Sequence, residues 1–256
     1  MLLAVYTIWL RDLRRFFRQR SRVVGALATP IVFWALLGSG LGRSFQAAGS
    51  SLSGGYLEYF FPGTLAMIVL FTAIFSTISL IEDRQEGFLQ GVLVAPVPRS
   101  AIVAGKMLGG TTLAVLQASA FLLLAPVAGI HIPLASVPLI LGVLALLGFA
   151  LTGLGFLIAW WLDSTQGFHA IMNLLLVPMW VLSGAVFPAS GAAAWLKPLM
   201  LINPMTYGVA ALQQTVVGHT GGPPLAVSVG VTAVFGLVML AAGAALVNRG
   251  SGGARP

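Results

Sequence analysis

The chain has 256 residues, of which 58% are hydrophobic and only 7% charged, against roughly 25% charged in soluble domains. That leaves too little polar surface for a water-soluble fold of this size, which excludes a soluble enzyme, and the apolar character equally excludes disorder. The formal net charge of +7 suggests nucleic acid only until its location is read, because six of the 13 basic residues fall between Arg11 and Arg22; with no cysteine there are no disulfides, thiol nucleophiles or cysteine-based zinc sites.

The first predicted element is an amphipathic helix over 1–22. At 100° per residue, Leu2, Tyr6, Trp9, Leu10, Leu13, Phe16 and Phe17 share one face, and Arg11, Arg14, Arg15, Arg18 and Arg22 the opposite one. Such a helix lies in the membrane interface, its aromatic rings at the acyl boundary and its guanidinium groups among headgroup phosphates. An orientation signal with an anchor is the plainer reading. A surface helix that passes force from a cytoplasmic partner to the first span is the functional one. Arg14-Arg15-Phe16-Phe17 also invites a twin-arginine export reading, but no apolar core separates it from the cleavage-like Ala26-Leu27-Ala28.

A spanning helix satisfies its own backbone and needs about 20 apolar residues to cross about 30 Å of hydrocarbon. The charge-free stretches predict six spans, over 23–42, 59–81, 103–128, 137–161, 168–188 and 224–247. Gly129, His131, Pro133 and Pro138 mark the turn between the third and fourth. The segment 189–223 is broken by Lys197-Pro198, Asn203-Pro204, Gln213-Gln214 and Gly221-Gly222, and reads as short helices dipping into the outer interface. With the N-terminus inside, Arg11, Arg14, Arg15, Arg18, Arg20, Arg22, Arg84, Arg99, Lys106, Arg249 and Arg255 are cytoplasmic, and only Arg43 and Lys197 are outside. That is the positive-inside bias, and a seventh span would weaken it.

Between the second and third spans, the loop 82–100 holds Glu82, Asp83, Arg84, Glu86 and Arg99, half of the chain's six acids among them. A turn between bundled helices needs about 2 to 8 residues. Phe88, Leu89, Val92 and Leu93 recur at helical spacing until Pro96 and Pro98 stop them, giving a short helix with one apolar side ringed by charge. That is the form of a docking peptide for another protein, with a re-entrant loop packed on its own bundle as the alternative.

Other candidate chemistry is weaker. Gly105-Lys106 is the only Gly-Lys pair, but Ser100 stands for the first glycine of a phosphate-cradling loop and Met107 for its hydroxyl, so Lys106 is expected to snorkel at the inner end of the third span. His131, His169 and His219 lie near span ends without HExxH or neighbouring acids and read as interface residues. Gly38-x-x-x-Gly42 and Gly105-x-x-x-Gly109 permit close helix approach, assigned to internal packing before dimerisation. In the fifth span Met172 pairs with Met179 and Asn173 with Trp180 at seven-residue spacing. Asn173 is costly in lipid and is expected to face a partner helix or a wet cavity, and the methionines and tryptophan suit a poorly specific apolar ligand, with ordinary bundle packing as the alternative.

The arginine-rich first helix, Glu86-Gly87 followed by Leu93-Val94-Ala95-Pro96, the run Leu182-Ser183-Gly184-Ala185-Val186-Phe187-Pro188, and Asn203-Pro204-Met205-Thr206-Tyr207 occur in an order and spacing that resemble the ABC-2 type membrane permeases of ATP-binding-cassette exporters over nearly the whole chain. The resemblance implies an all-α half-transporter of six transmembrane helices with an N-terminal amphipathic interfacial helix and re-entrant outer helices over 189–223. It implies a homodimer paired with two copies of a separately encoded ATPase, which holds the ATP and magnesium. No cofactor, metal or catalytic residue is expected on this chain. In that family the loop after the second span is a coupling helix seated in the ATPase, which marks Glu82, Asp83, Arg84, Glu86, Gly87, Leu89, Leu93, Ala95, Pro96 and Arg99. The interfacial helix, with Trp9, Arg11, Arg14, Arg15, Phe16 and Arg18, flanks it. One departure is that an acid usually follows the glycine by a few residues, where this chain has Gln90 and Gly91. The family's first, second and fifth spans line the substrate path, which adds Phe71 and Phe75 to Met172, Asn173, Met179 and Trp180.

The expectation is therefore a permease in the bacterial inner membrane, both termini cytoplasmic, exporting a hydrophobic small molecule or lipid. A lipid-linked polysaccharide is the alternative cargo. An ion-coupled secondary carrier or a non-transporting scaffold is the alternative class, but Glu58 and Asp163 lie at span ends, so a carrier lacks its mid-span acid.

Overall fold

The structure, a computed structural model, describes residues 1–18, 20–47, 55–94, 97–218 and 221–249. The described residues hold helices and turns but no strand, as a chain that must satisfy its backbone within hydrocarbon requires. In order the helices are α1 (Leu2–Arg18), α2 (Arg20–Ala47), α3 (Gly55–Ser76), α4 (Ile78–Gln85), α5 (Phe88–Val94), α6 (Ser100–Leu122), α7 (Val137–Trp161), α8 (Thr165–Trp180), α9 (Leu196–Ile202), α10 (Pro204–Val216) and α11 (Leu225–Arg249).

Among the described residues, five helical stretches are long and apolar enough to cross a membrane: Gly55–Gln85, Ser100–Leu122, Leu134–Trp161, Thr165–Ala185 and Leu225–Arg249; in α2 the apolar stretch is shorter, Leu27–Leu41. The expected second span departs from its 59–81 limits. It starts at Gly55 and, past Thr77, continues as α4 to Gln85. Glu82, Asp83 and Arg84 thus stand on a helix rather than in a loop. The third ends at Leu122 instead of 128, because 3-10 turns at Ala125–Ala128 and Leu134–Ser136 carry the chain to α7 around Gly129 at φ +77. The segment 189–223 contains α9 and α10.

Helix α3, apolar on all sides, is the centre of the bundle: 83% of its apolar stretch is buried against 17% for α11, which is peripheral. Phe61 of α3 stacks on Phe121 of α6 at 4.8 Å, and Trp34 of α2 meets both edge-on. Gly38 of α2 lies against Leu57, whose side chain would have to move to admit a Cβ there.

Candidate functional site

At one end of the bundle, α1 packs on α6 along Ile8, Asp12 and Phe16. Two glycines permit the approach. A Cβ at Gly105 would lie 2.9 Å from the Ile8 Cβ, and one at Gly109 3.3 Å from the Asp12 Cβ. The Gly105-x-x-x-Gly109 seam is therefore internal to the chain. Trp9 adds an indole N–H donated to Thr112 Oγ1 at 3.0 Å.

Into this seam the structure brings a buried ion cluster. Lys106 Nζ donates to Asp12 Oδ1 at 2.9 Å, Asp83 Oδ2 at 2.7 Å and Ser79 Oγ at 2.9 Å, using all three of its protons. Arg11 and Arg15 reach Asp83 Oδ1 at 2.6 and 2.9 Å, and Arg15 also pairs with Glu82 at 3.1 Å and Glu86 at 2.7 Å. Asp83 is 1% exposed, Lys106 4% and Asp12 8%. Burial pushes the Asp12 carboxyl above its ordinary value of 3.8, although Lys106 pulls it down. Lys106 does not snorkel as expected: its charge is matched inside the protein, so it has no need to reach the interface. Arg11 and Arg15 likewise face acids of α4 rather than headgroups, while Arg14 and Arg18 are exposed.

The cluster mounts the next segment of the chain. Gly87, at φ +76, turns the chain from α4 into α5, a conformation glycine adopts without strain. The Phe88 ring lies 3.6 Å beneath the Arg11 guanidinium, Leu89 is buried in the bundle, and Val94 is 86% exposed. Beside α5 a cleft of about 680 Å³ is lined by Leu3, Ala4, Thr7, Phe88, Val92 and Pro98, among others. The Leu93 side chain, Ala95 and Pro96 lie outside the described residues, as does His219. Arg99 reaches the Asn248 carbonyl of α11 at 3.4 Å. Arg84 points the other way, to the end of α7 and to Asp163.

A second cavity, about 370 Å³, opens between α2, α3 and α8, lined by Thr29, Pro30, Met67, Phe71, Thr72, Phe75 and His169 with Phe16 of α1 at its inner end. Phe71 and Phe75 thus join residues of the first, second and fifth stretches. Behind them Thr72 donates to the buried Gln117. The fifth-span residues divide. Phe168, Met172, Leu176 and Trp180 form the buried ridge of α8, Met179 is half-buried, and Asn173 faces away from its own bundle beside the 79% exposed Leu174. The seven-residue pairs of the sequence straddle this four-residue ridge.

The C-terminal end of α8 is pinned. A π-helical turn, Val181–Ala185, ends it at Gly184, φ +85. Tyr59 Oη and Gln213 Nε2 both donate to the Gly184 carbonyl, at 2.8 and 3.2 Å, and Tyr56 Oη donates to Val186 O at 2.9 Å. Trp180 Nε1 donates to Gly63 O at 2.9 Å, where α3 comes so close that a Cβ on Gly63 would sit 2.6 Å from Ala185 O. Asn203 caps α10 by accepting from Met205 N at 3.0 Å and donates to Met179 O at 2.6 Å. Asn203 and Gln213 thus tie the α10 segment to the C-terminal end of α8 and to the turn that follows it.

The model of the ABC-2 type transporter family matches residues 4–217, which include the ion cluster and the bonds that converge on Gly184. The chain belongs to the ABC-2 type transporter family. Its relatives agree. The transport permease ycf38 of Cyanophora paradoxa is 28% identical over 209 residues, 78% of this chain and 71% of that one. Nodulation protein J of Rhizobium leguminosarum bv. viciae is 26% identical over 234 residues, 90% of this chain and 87% of that one. A protein named as a multidrug ABC transporter permease, YbhR of Escherichia coli strain K12, is 29% identical over 154 residues, 59% of this chain and 42% of that one. The ABC-2 type chain is accordingly an all-α, multi-pass permease subunit of an ABC transporter.

Two residues of this ABC-2 type permease that sequence reasoning passed over are Asp12 and Ser79, and a third, Lys106, expected to snorkel, is turned inward to them. The signal was present but faint: Asp12 is the one acid before Glu58, and Lys106 one of two lysines, adjacent to the glycine seam.

Proposed function

We propose that this permease exports a hydrophobic small molecule or lipid across the bacterial inner membrane, as a homodimer driven by two copies of a separate ATPase. ATP and magnesium act on that partner. Both termini face the cytoplasm, six spans cross the bilayer, and 189–223 forms the outer re-entrant segment. The observation that carries this reading is the mounting of α5: the Arg11, Arg15, Asp83 and Lys106 cluster joins α1, α4 and α6 into one block at the inner end, with α5 projecting from it beside an apolar cleft. A docking helix that must deliver a push needs a stiff base, and paired buried charges supply directional stiffness that apolar packing does not. Glu86, Gly87, Phe88 and Val94 form the docking side. The cavity at Phe71 and Phe75, apolar with a few hydroxyls and an imidazole at its edge, suits a largely apolar cargo.

ATP binding closes the partner ATPases, their motion displaces α5, and the two bundles pass from inward-open to outward-open. No bond of the cargo is made or broken on this chain. Purification from gently solubilised membranes is expected to recover an ATPase whose turnover drops when Glu86 and Gly87 are replaced. Recovery of homo-oligomers alone, with transport driven by an ion gradient, overturns the proposal. Photo-crosslinking of an apolar probe is expected to label the wall at Phe71 and Phe75, and labelling by a lipid-linked glycan instead would change the cargo and not the mechanism.

A further inference from the structure

Helix α4 has two working sides. Asp83 binds the block just described, while its neighbours Arg84 and Gln85 reach across to the short connection between α7 and α8. Arg84 Nη2 donates to the Trp160 carbonyl at 2.8 Å, and Arg84 Nη1 to the Leu162 carbonyl at 3.2 Å and Asp163 Oδ1 at 2.9 Å. Gln85 Nε2 donates to the Asp163 carbonyl at 2.8 Å. The guanidinium also lies 5.5 Å over the Trp160 ring. Carbonyls at the end of a helix have no intrahelical partner, and a cation there also meets the negative end of the helix dipole. Arg84 therefore caps α7 from another element.

The connection beyond this cap is brief. Leu162 is extended, and Ser164 already accepts from Gly167 N as the N-cap of α8. Three residues between two helices leave no slack, so whatever displaces Leu162 and Asp163 displaces the start of α8. The pair with Asp163 is a minor part of this, since that carboxylate is 87% exposed and exposed pairs contribute little. The two bonds to main-chain carbonyls carry the link.

The geometry points to Arg84 as a positioning residue, a strut that passes the displacement of the coupling segment to α8 and so to the cavity wall at His169. It is not a contact for the ATPase: its side chain turns away from α5. This inference rests on the proposed ATP-driven function, and the test separates the two.

The chain has no cysteine, so single reporters can be placed cleanly: Leu174→Cys on α8 and Leu3→Cys on α1, both exposed and outside the cluster. Each carries an environment-sensitive fluorophore in the complete complex with its ATPase, in lipid nanodiscs, read with and without ATP plus vanadate. With Arg84 present, both reporters are expected to shift their emission on nucleotide trapping. With Arg84→Gln, the shift at position 3 persists and that at position 174 is lost; with Asp163→Asn, both persist because the carbonyl bonds stay. A full shift at 174 in Arg84→Gln, or loss at both positions together, overturns the strut. Should Arg84→Gln fail to assemble, a glycine inserted after Asp163 decides: the strut requires a reduced shift at 174, and an unchanged one refutes it. Absence of any shift at either position with Arg84 in place instead refutes the ATP-driven function itself.

Discussion

Replacing Lys106 with methionine removes the one group that meets Asp12, Asp83 and Ser79 together. Asp83 keeps Arg11 and Arg15, but the Asp12 carboxylate, 8% exposed, loses the ammonium 2.9 Å away. Breaking one side of a buried ion pair costs about 3–5 kcal/mol. At 1.4 kcal/mol per factor of ten, docking of α1 on α6 weakens by about two to three and a half powers of ten. A single Ile8→Cys in the cysteine-free chain, buried at 7% against Gly105, reports undocking through its rate of maleimide labelling. Lys106→Met is expected to accelerate labelling strongly, and Lys106→Met with Asp12→Asn to restore most of the protection, because no unpaired charge is then buried. The pH dependence has a definite sign. Burial holds the docked Asp12 carboxyl above its ordinary value of 3.8 and Lys106 is the main opposing influence. Without the lysine, protonation as the pH falls from neutral therefore favours the docked state, and labelling of the single variant slows more steeply with falling pH than that of the double variant, whose thiol has the same thiolate dependence. A single variant labelled at the parental rate, or a double variant labelled as fast as the single, refutes the reasoning.

Gly105→Ala places a Cβ 2.9 Å from that of Ile8 and 3.2 Å from the Val5 carbonyl; the overpacking costs about 1–3 kcal/mol and, in a chain carrying the smaller change Val5→Cys as its reporter, is expected to speed maleimide labelling without touching a charge. Trp180→Phe deletes the bond to Gly63 O, worth about 1 kcal/mol, and should lower the thermal midpoint by about 2–4 °C. Gly184→Ala forces a side chain to φ +85, costing about 1–2 kcal/mol, and its midpoint should fall further than that of Gly191→Ala, where a Cβ meets nothing.

The amphipathic first helix, the apolar stretches and the turn at Gly129 could be read from sequence because each is a local property: a period, a length, one φ-permissive residue. The ion cluster could not. Its members come from positions 12, 79, 83 and 106, and a lone aspartate among arginines looks like one more polar position on a charged face until the partner helix is known. The extension of the second stretch through α4 was hidden for a related reason. Glu82 and Asp83 look like the end of an apolar run, yet with Arg11, Arg15 and Lys106 supplying counter-charge the helix continues through them to Gln85. In α8 the seven-residue pairs did not mark the buried side: Met172 and Trp180 lie on a four-residue ridge, while Met179 is half-buried and Asn173 faces away, because the spacing alone does not say which ridge meets the neighbouring helices.

Helix α8 is held at its C-terminal tip by hydrogen bonds from α3 and α10 that converge on Gly184, while its N-terminal tip hangs on a three-residue link. A rod fixed at one tip and, under the proposed function, pushed at the other swings like a hatch. Its 16 residues make it about 24 Å tall at 1.5 Å per residue, so a tilt of about 10° carries the N-terminal tip about 4 Å and the C-terminal tip hardly at all. Under the proposed function, the aperture such a swing creates is widest at the Ser164 end of α8 and tapers to nothing at the Gly184 hinge, so that opening at the hinge end is a separate event requiring the bonds from Tyr59 and Gln213 to let go.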